Sequence, residues 1–122
     1  MDIIITIPKT TTWEEYQKEL DLAESGEYYL NYQTARFPKH AHVGDRCYVV
    51  HRGKLKGYML ISGFSNKPFT CTVTGKKYKG NFIQRTGKFY KVKEIPKKSF
   101  RSFRYFGVSI NDTSGVKIND KP

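Results

Sequence analysis

Residues 44–61 read GDRCYVVHRGKLKGYMLI, and this stretch decides the fold. Gly44-Asp45 is a turn signal, and the run from Arg46 to His51 is rich in β-branched and aromatic residues. Gly53 marks a second turn, after which Lys56 to Ile61 returns as a strand. The two runs form a predicted β-hairpin, so the sheet begins in earnest at position 44.

Upstream, Ile3, Ile4, Ile5 and Ile7 make a β-branched run closed by Pro8, the pattern of a buried strand. Thr10, Thr11 or Thr12 then caps a helix. Counted from Thr11, Glu14 completes a capping box, and Trp13, Tyr16, Leu20 and Ala23 recur on one face. Gly26 is the expected C-terminal stop. Downstream, Phe69 to Thr74, Phe82-Ile83 and Phe89 to Val92 read as short strands separated by the glycines at 75, 80 and 87. One helix followed by regularly spaced strands predicts an α+β chain, a small twisted or barrel-like sheet with the helix across its opening.

A chain of 122 residues has room for one hydrophobic core. The expected domain is 1–110, and 111–122 is a polar tail expected to fray. Cys47 and Cys71 have no metal-binding spacing and suggest two reduced thiols. The apolar start, broken by Asp2 and ended by Pro8, is too short for a signal core or a membrane span, so the expected location is cytoplasmic, with no membrane partner.

Charge gives the sharpest functional clue. The net charge is +11, and it is segregated: residues 1–50 carry five basic and eight acidic groups, whereas 51–105 carry fifteen basic groups and one acid, Glu94. In strands, bases at 52, 54 and 56, or at 91 and 93, are expected on one face. Rings interleave with them, the ingredients of single-strand or RNA binding, although so small a protein needs most of its rings for the core. The expected nucleic-acid contacts are Arg46, Arg52, Lys54, Lys56, Lys76, Lys77, Lys79, Arg85, Arg101 and Arg104. Within Ser99 to Phe106, Phe100, Phe103 and Phe106 alternate with Arg101 and Arg104 at period three, which a 3₁₀ or α turn would sort into a ring side and an arginine side, whereas a strand would mix the two faces. Solubility alone, or an acidic protein partner, are the competing uses of the charge.

Catalytic constellations are not apparent. His40, His42 and His51 lack companions at metal-ligand spacing, and Asp45 suits a turn residue accepting backbone N–H groups. Cys47 lies inside an apolar run, and no nucleophile elbow or phosphate-cradling glycine loop occurs. The expectation is therefore no catalytic residue, no metal and no cofactor.

From Asn31 the chain reads NYQTAR, then FPKHAHVGD, then RCYVVHRGKLKGYMLISG. This order, over roughly residues 28–63, resembles the PUA-like superfamily, in particular its EVE and ASCH branches. The resemblance implies a small mixed β pseudo-barrel with one or two helices that binds RNA or a modified base in DNA. It places Asn31, Tyr32, Gln33 and Arg36 near the pocket wall, Asp45 at the turn into the central strand, and Trp13 or Tyr32 as the ring stacking on an extruded base. The chain departs from the EVE branch in carrying Trp13 and Tyr16 on a helix. It departs from the amide-hydrolysing ASCH members in having Thr34 and Lys39 without a neighbouring glutamate, the nearest being Glu27. The resulting expectation is non-catalytic binding of RNA or DNA through a basic surface and a small aromatic pocket. The alternatives are a charged adaptor with Met59 at the centre of a flat patch, and a small amide or nucleobase hydrolase.

Overall fold

The computed structural model describes residues 1–71, 74–98, 100 and 102–106, so the tail expected at 111–122 lies outside the described residues. In chain order the elements are β1 (Ile3–Ile7), α1 (Trp13–Ala23), β2 (Leu30–Thr34), β3 (Arg46–His51), β4 (Lys54–Ser65), β5 (Phe69–Thr70), β6 (Lys77–Tyr78), β7 (Asn81–Arg85), β8 (Tyr90–Pro96) and β9 (Phe103–Tyr105). Among the described residues the chain is mostly strand with one short helix, as the sequence pattern requires, and the main sheet curls into a half-barrel. Its strands run β2-β7-β4-β3-β1-β9, with β8 also paired to β4, while β5 and β6 form a separate hairpin. Among the described residues only β1 and β3 are parallel; the other pairs are antiparallel.

The β1 and β3 runs are continuously apolar because both faces of the sheet are covered there. On the inner face Ile3, Ile5, Val49 and Met59 pack against Tyr16, Leu20 and Ala23 of α1. On the outer face Ile4, Tyr48, Val50 and Leu55 pack with Val92 and Phe106. Register shifts at Val49/Val50, Leu55/Gly57 and Ile61/Gly63, where β4 meets β3, β8 and β7, add to the curl. Met59 is fully buried, which removes it from the centre of any docking patch.

Several expected boundaries move. The N-cap is Thr12 rather than Thr11, with Glu15 completing the box: the Glu15 N–H donates to Thr12 Oγ1 at 3.1 Å, and the Thr12 N–H donates to Glu15 Oε1 at 3.1 Å. Glu24 is the C-cap, and Gly26, with φ +86°, turns the chain two residues beyond it. Of the strand expected over 69–74, only Phe69–Thr70 is strand among the described residues, paired with β6, and residues 72 and 73 lie outside them. The segment before residue 107 is strand β9 rather than a helical turn, with Ser99 and Arg101 outside the described residues. Pairing with β1 puts Phe103 and Tyr105 on the inner cluster and Phe100 and Phe106 on the outer one, so the rings do not share a side. No helix among the described residues is long and apolar enough to cross a membrane.

Candidate functional site

A cavity of about 730 Å³ opens between α1, the edge strand β2, β7 and the β5–β6 hairpin. Its volume falls in the range of small-molecule and single-nucleotide pockets. Tyr16, Tyr28, Tyr29, Tyr32, Phe69, Tyr78 and Phe82 supply its rings. Each element has a reason to stand where it does. Tyr16 sits on the buried face of α1, and Tyr32 lies on a strand whose backbone is held by β7 on one side only. The hairpin is docked by Phe69, which stacks on Tyr78 (5.4 Å) and meets the buried Phe82 edge-on (4.8 Å). Gln33 ties β2 to the hairpin's exit, its Nε2 donating to the Lys79 carbonyl at 2.8 Å. Gly80, at φ +131°, permits this approach, since a Cβ there would meet Gln33 Nε2 at 2.9 Å. Asn31 Oδ1 accepts from Gln84 Nε2 at 3.2 Å.

Burial pushes the Tyr16, Tyr28 and Tyr32 phenols upward, so all three are neutral hydroxyls at physiological pH. Glu19, half-buried on α1, also lines the cavity. Burial raises its carboxyl above the ordinary value, partly opposed by the Tyr28 hydroxyl, which donates to Oε1 at 3.4 Å, and by the nearby Arg85 charge.

Arg85 is the principal correction to the expected surface. It is 2% exposed and lines the cavity instead of joining an outer basic face. The reason is the period of β7: Ile83 and Arg85 are two residues apart and both point inward. Arg85 Nη1 donates to the Tyr16 hydroxyl at 2.9 Å, while Nε is buried with no hydrogen-bond partner. No ion pair and no cation–ring contact among the described residues includes it.

The other expected site residues divide. Asn31, Tyr32 and Gln33 line the cavity together; Arg36 is exposed and Trp13 half-buried, and neither is on its wall. Trp13 is instead enclosed by Tyr16, His51 and Phe89, with Lys56 Nζ 4.7 Å from its ring centroid, so its faces are already occupied. Arg52 lies in the β3–β4 turn at φ +49°, and its guanidinium donates twice to the Lys9 carbonyl. Lys56 pairs with Glu94 at 2.9 Å, while Lys54 is exposed. Lys91 and Lys93 flank the buried Val92 and are exposed. Lys76, Lys77 and Lys79 are exposed on the hairpin that walls the cavity, and Lys67 lies on the cavity wall itself.

Arg46 lies over Tyr58 (4.8 Å), which stacks on the exposed Tyr90 (4.9 Å), and Lys88 lies 5.3 Å from the Tyr90 centroid. This ladder packs with the outer cluster, on the opposite face of the sheet from the cavity. Arg104 is exposed over Phe100, and Arg101 lies outside the described residues.

The residues weighed for chemistry are dispersed. Asp45 Oδ2 accepts from the His42 N–H and the Met1 amine, each at 2.8 Å; burial works against the charged form, but these bonds outweigh it and hold the carboxyl below its ordinary value. His51 is buried, with Nε2 2.7 Å from the Thr11 carbonyl oxygen. Burial pushes the Cys47 thiol up to about 11. Thr34 meets the Ser102 hydroxyl at 3.2 Å, and neither Thr34 nor Lys39 lines the cavity. Among the described residues, no three His, Cys, Asp or Glu side chains lie together as a metal site.

No family model matches the chain, and no curated protein or solved structure matches it. The cavity is therefore the main guide to function. Sequence reasoning missed Tyr16, Glu19 and Tyr28 as wall residues, because they come from a helix and a loop that only the fold brings to β2. It misplaced Arg85, although the period-two signal with Ile83 was available.

Proposed function

We propose that this protein is a non-catalytic nucleic-acid binder of the PUA-like kind, a pseudo-barrel that holds RNA or DNA by phosphate contacts and takes one nucleotide into the aromatic cavity. A single observation carries the reading: a ring-walled cavity of nucleotide size is bordered by a hairpin bearing Lys76, Lys77 and Lys79. Rings accept a base face with little regard for its identity, and lysines beside them hold the strand that delivers it. Asn31, Gln33 and Gln84 place amide donors and acceptors on the same wall, where a base edge can be read. The net charge of +11 supplies long-range attraction to a polyanion.

The test is binding of labelled single-stranded RNA, single-stranded DNA, and duplexes with and without modified cytosine, at two salt concentrations. The expected result is salt-sensitive binding to at least one member of the panel, weakened by Tyr32→Ala and by reversal of the hairpin lysines. No binding to any member at low salt would overturn the reading and favour an acidic protein partner.

A further inference from the structure

We infer that Arg85 makes the cavity an anion site, one that receives the phosphate of a nucleoside monophosphate while the base lies among the tyrosines. The inference deepens the proposed function and rests on the cavity part of that reading.

The argument starts from an unbalanced charge. A guanidinium removed from water must be paired or fully hydrogen-bonded, because the cost of stripping its hydration is otherwise uncompensated. Arg85 is 2% exposed, yet the one hydrogen bond its guanidinium makes among the described residues is to the neutral Tyr16 hydroxyl, and Nε has no hydrogen-bond partner there. Glu19 is close enough to feel the charge, but the two form no ion pair. Burying a cation with a neutral phenol is a poor structural solution, since a Met or Leu would fill the same space without the electrostatic cost. The position makes sense when a ligand supplies the missing anion.

The kind of anion follows from the surroundings. The planar fork of an arginine matches phosphate oxygens, and at a buried guanidinium in a ring-lined cavity such charge-assisted bonds are stronger than at the surface. Lys67, on the cavity wall, adds a second positive charge to draw the anion inward. A bare inorganic anion would leave the rings unused, whereas a nucleotide uses both features. Glu19, held by the Tyr28 hydroxyl, then stands where it can accept from a base amino group or a ribose hydroxyl. The phosphate can come from a free mononucleotide or from the end of a strand.

The experiment measures binding of the four 5′-mononucleotides and their nucleosides to the full-length protein by calorimetry. It adds one oligonucleotide carrying a 5′-phosphate, a 3′-phosphate or neither. At least one monophosphate is expected to bind tenfold or more tightly than its nucleoside. Arg85→Met is expected to lose that difference while the ligand-free protein melts at the same or a higher temperature. Preference for one phosphorylated oligonucleotide end assigns the phosphate to a strand terminus; mononucleotide binding without an end preference assigns it to a free nucleotide.

Equal binding of nucleosides and monophosphates by the wild-type protein, or no binding of either, would overturn the inference whether or not the variant folds. So would an Arg85→Met protein that keeps the full phosphate preference. Salt-sensitive strand binding without phosphate discrimination would sink this inference alone. Mononucleotide binding without strand binding would sink the nucleic-acid reading and leave the anion site standing.

Discussion

Gly57 shows how tightly single positions are constrained in the curled sheet. A Cβ there would run into the Tyr90 carbonyl oxygen and the Phe89 ring, and since the first is backbone it cannot rotate away. Gly57→Ala should therefore cost about 2 kcal/mol or more, in the range of an overpacked core. Urea unfolding should show a lower midpoint at unchanged m-value; an unchanged midpoint would mean that β8 lies further from β4 than described. Glu19 is the opposite case, a side chain that weakens the fold at neutral pH. Its carboxyl is raised by burial first of all, so the folded state holds a proton that the unfolded chain, at 4.5, has begun to release. Stability then falls as pH rises from the unfolded toward the folded value, and the deficit persists at pH 7. Glu19→Gln should raise the melting temperature at pH 7 and should lose that advantage below about pH 4. A pH-independent difference would show that the change acts through packing.

At the scale of elements, legibility followed how local the determining contacts are. β1 and the β3–β4 hairpin could be read directly, because both faces of these strands are buried and turn residues bound the hairpin. α1 was legible from its cap and its apolar face, and the one-residue error arose because three consecutive threonines offer the same hydroxyl. β2 was not read as a strand. Its pattern LNYQT has no clean alternation, and it exists because β7 pairs with it across fifty residues of chain. The site suffered more than the fold for the same reason: Tyr16, Tyr32, Phe69 and Arg85 come from four elements, and only the three-dimensional arrangement brings them to one cavity. The hairpin is the least anchored of the four, since its two-residue strands pair only with each other. Phe69→Ala removes its contacts with Tyr78 and Phe82 and should release it from the sheet. Faster proteolysis between residues 66 and 80, with the main thermal transition nearly unmoved, is the expected outcome. A large drop in the main transition would instead make the hairpin part of the cooperative core.

The whole molecule separates its charges along the chain more cleanly than in space. Of the fifteen bases between 51 and 105, Arg85 is buried, Arg52 is engaged with the Lys9 carbonyl, and Lys56 is paired with Glu94. What remains exposed includes two groups on different elements, the hairpin lysines beside the cavity and Lys91 with Lys93 on β8. If the cavity is the centre of binding, the groups are not equivalent. For a single strand, each phosphate neutralised contributes about 0.7 to the slope of log K against log salt. Reversing Lys76, Lys77 and Lys79 to Glu should lower that slope by about 2, the sum for three lost contacts at this value. Reversing Lys91 and Lys93 should weaken binding at low salt through the general field, with a smaller change in slope. Fluorescence anisotropy titrations across a salt series measure both quantities. Slopes that fall equally per charge removed, wherever the charge lies, would mean that the protein attracts nucleic acid by its field alone and that the strand does not run past the cavity.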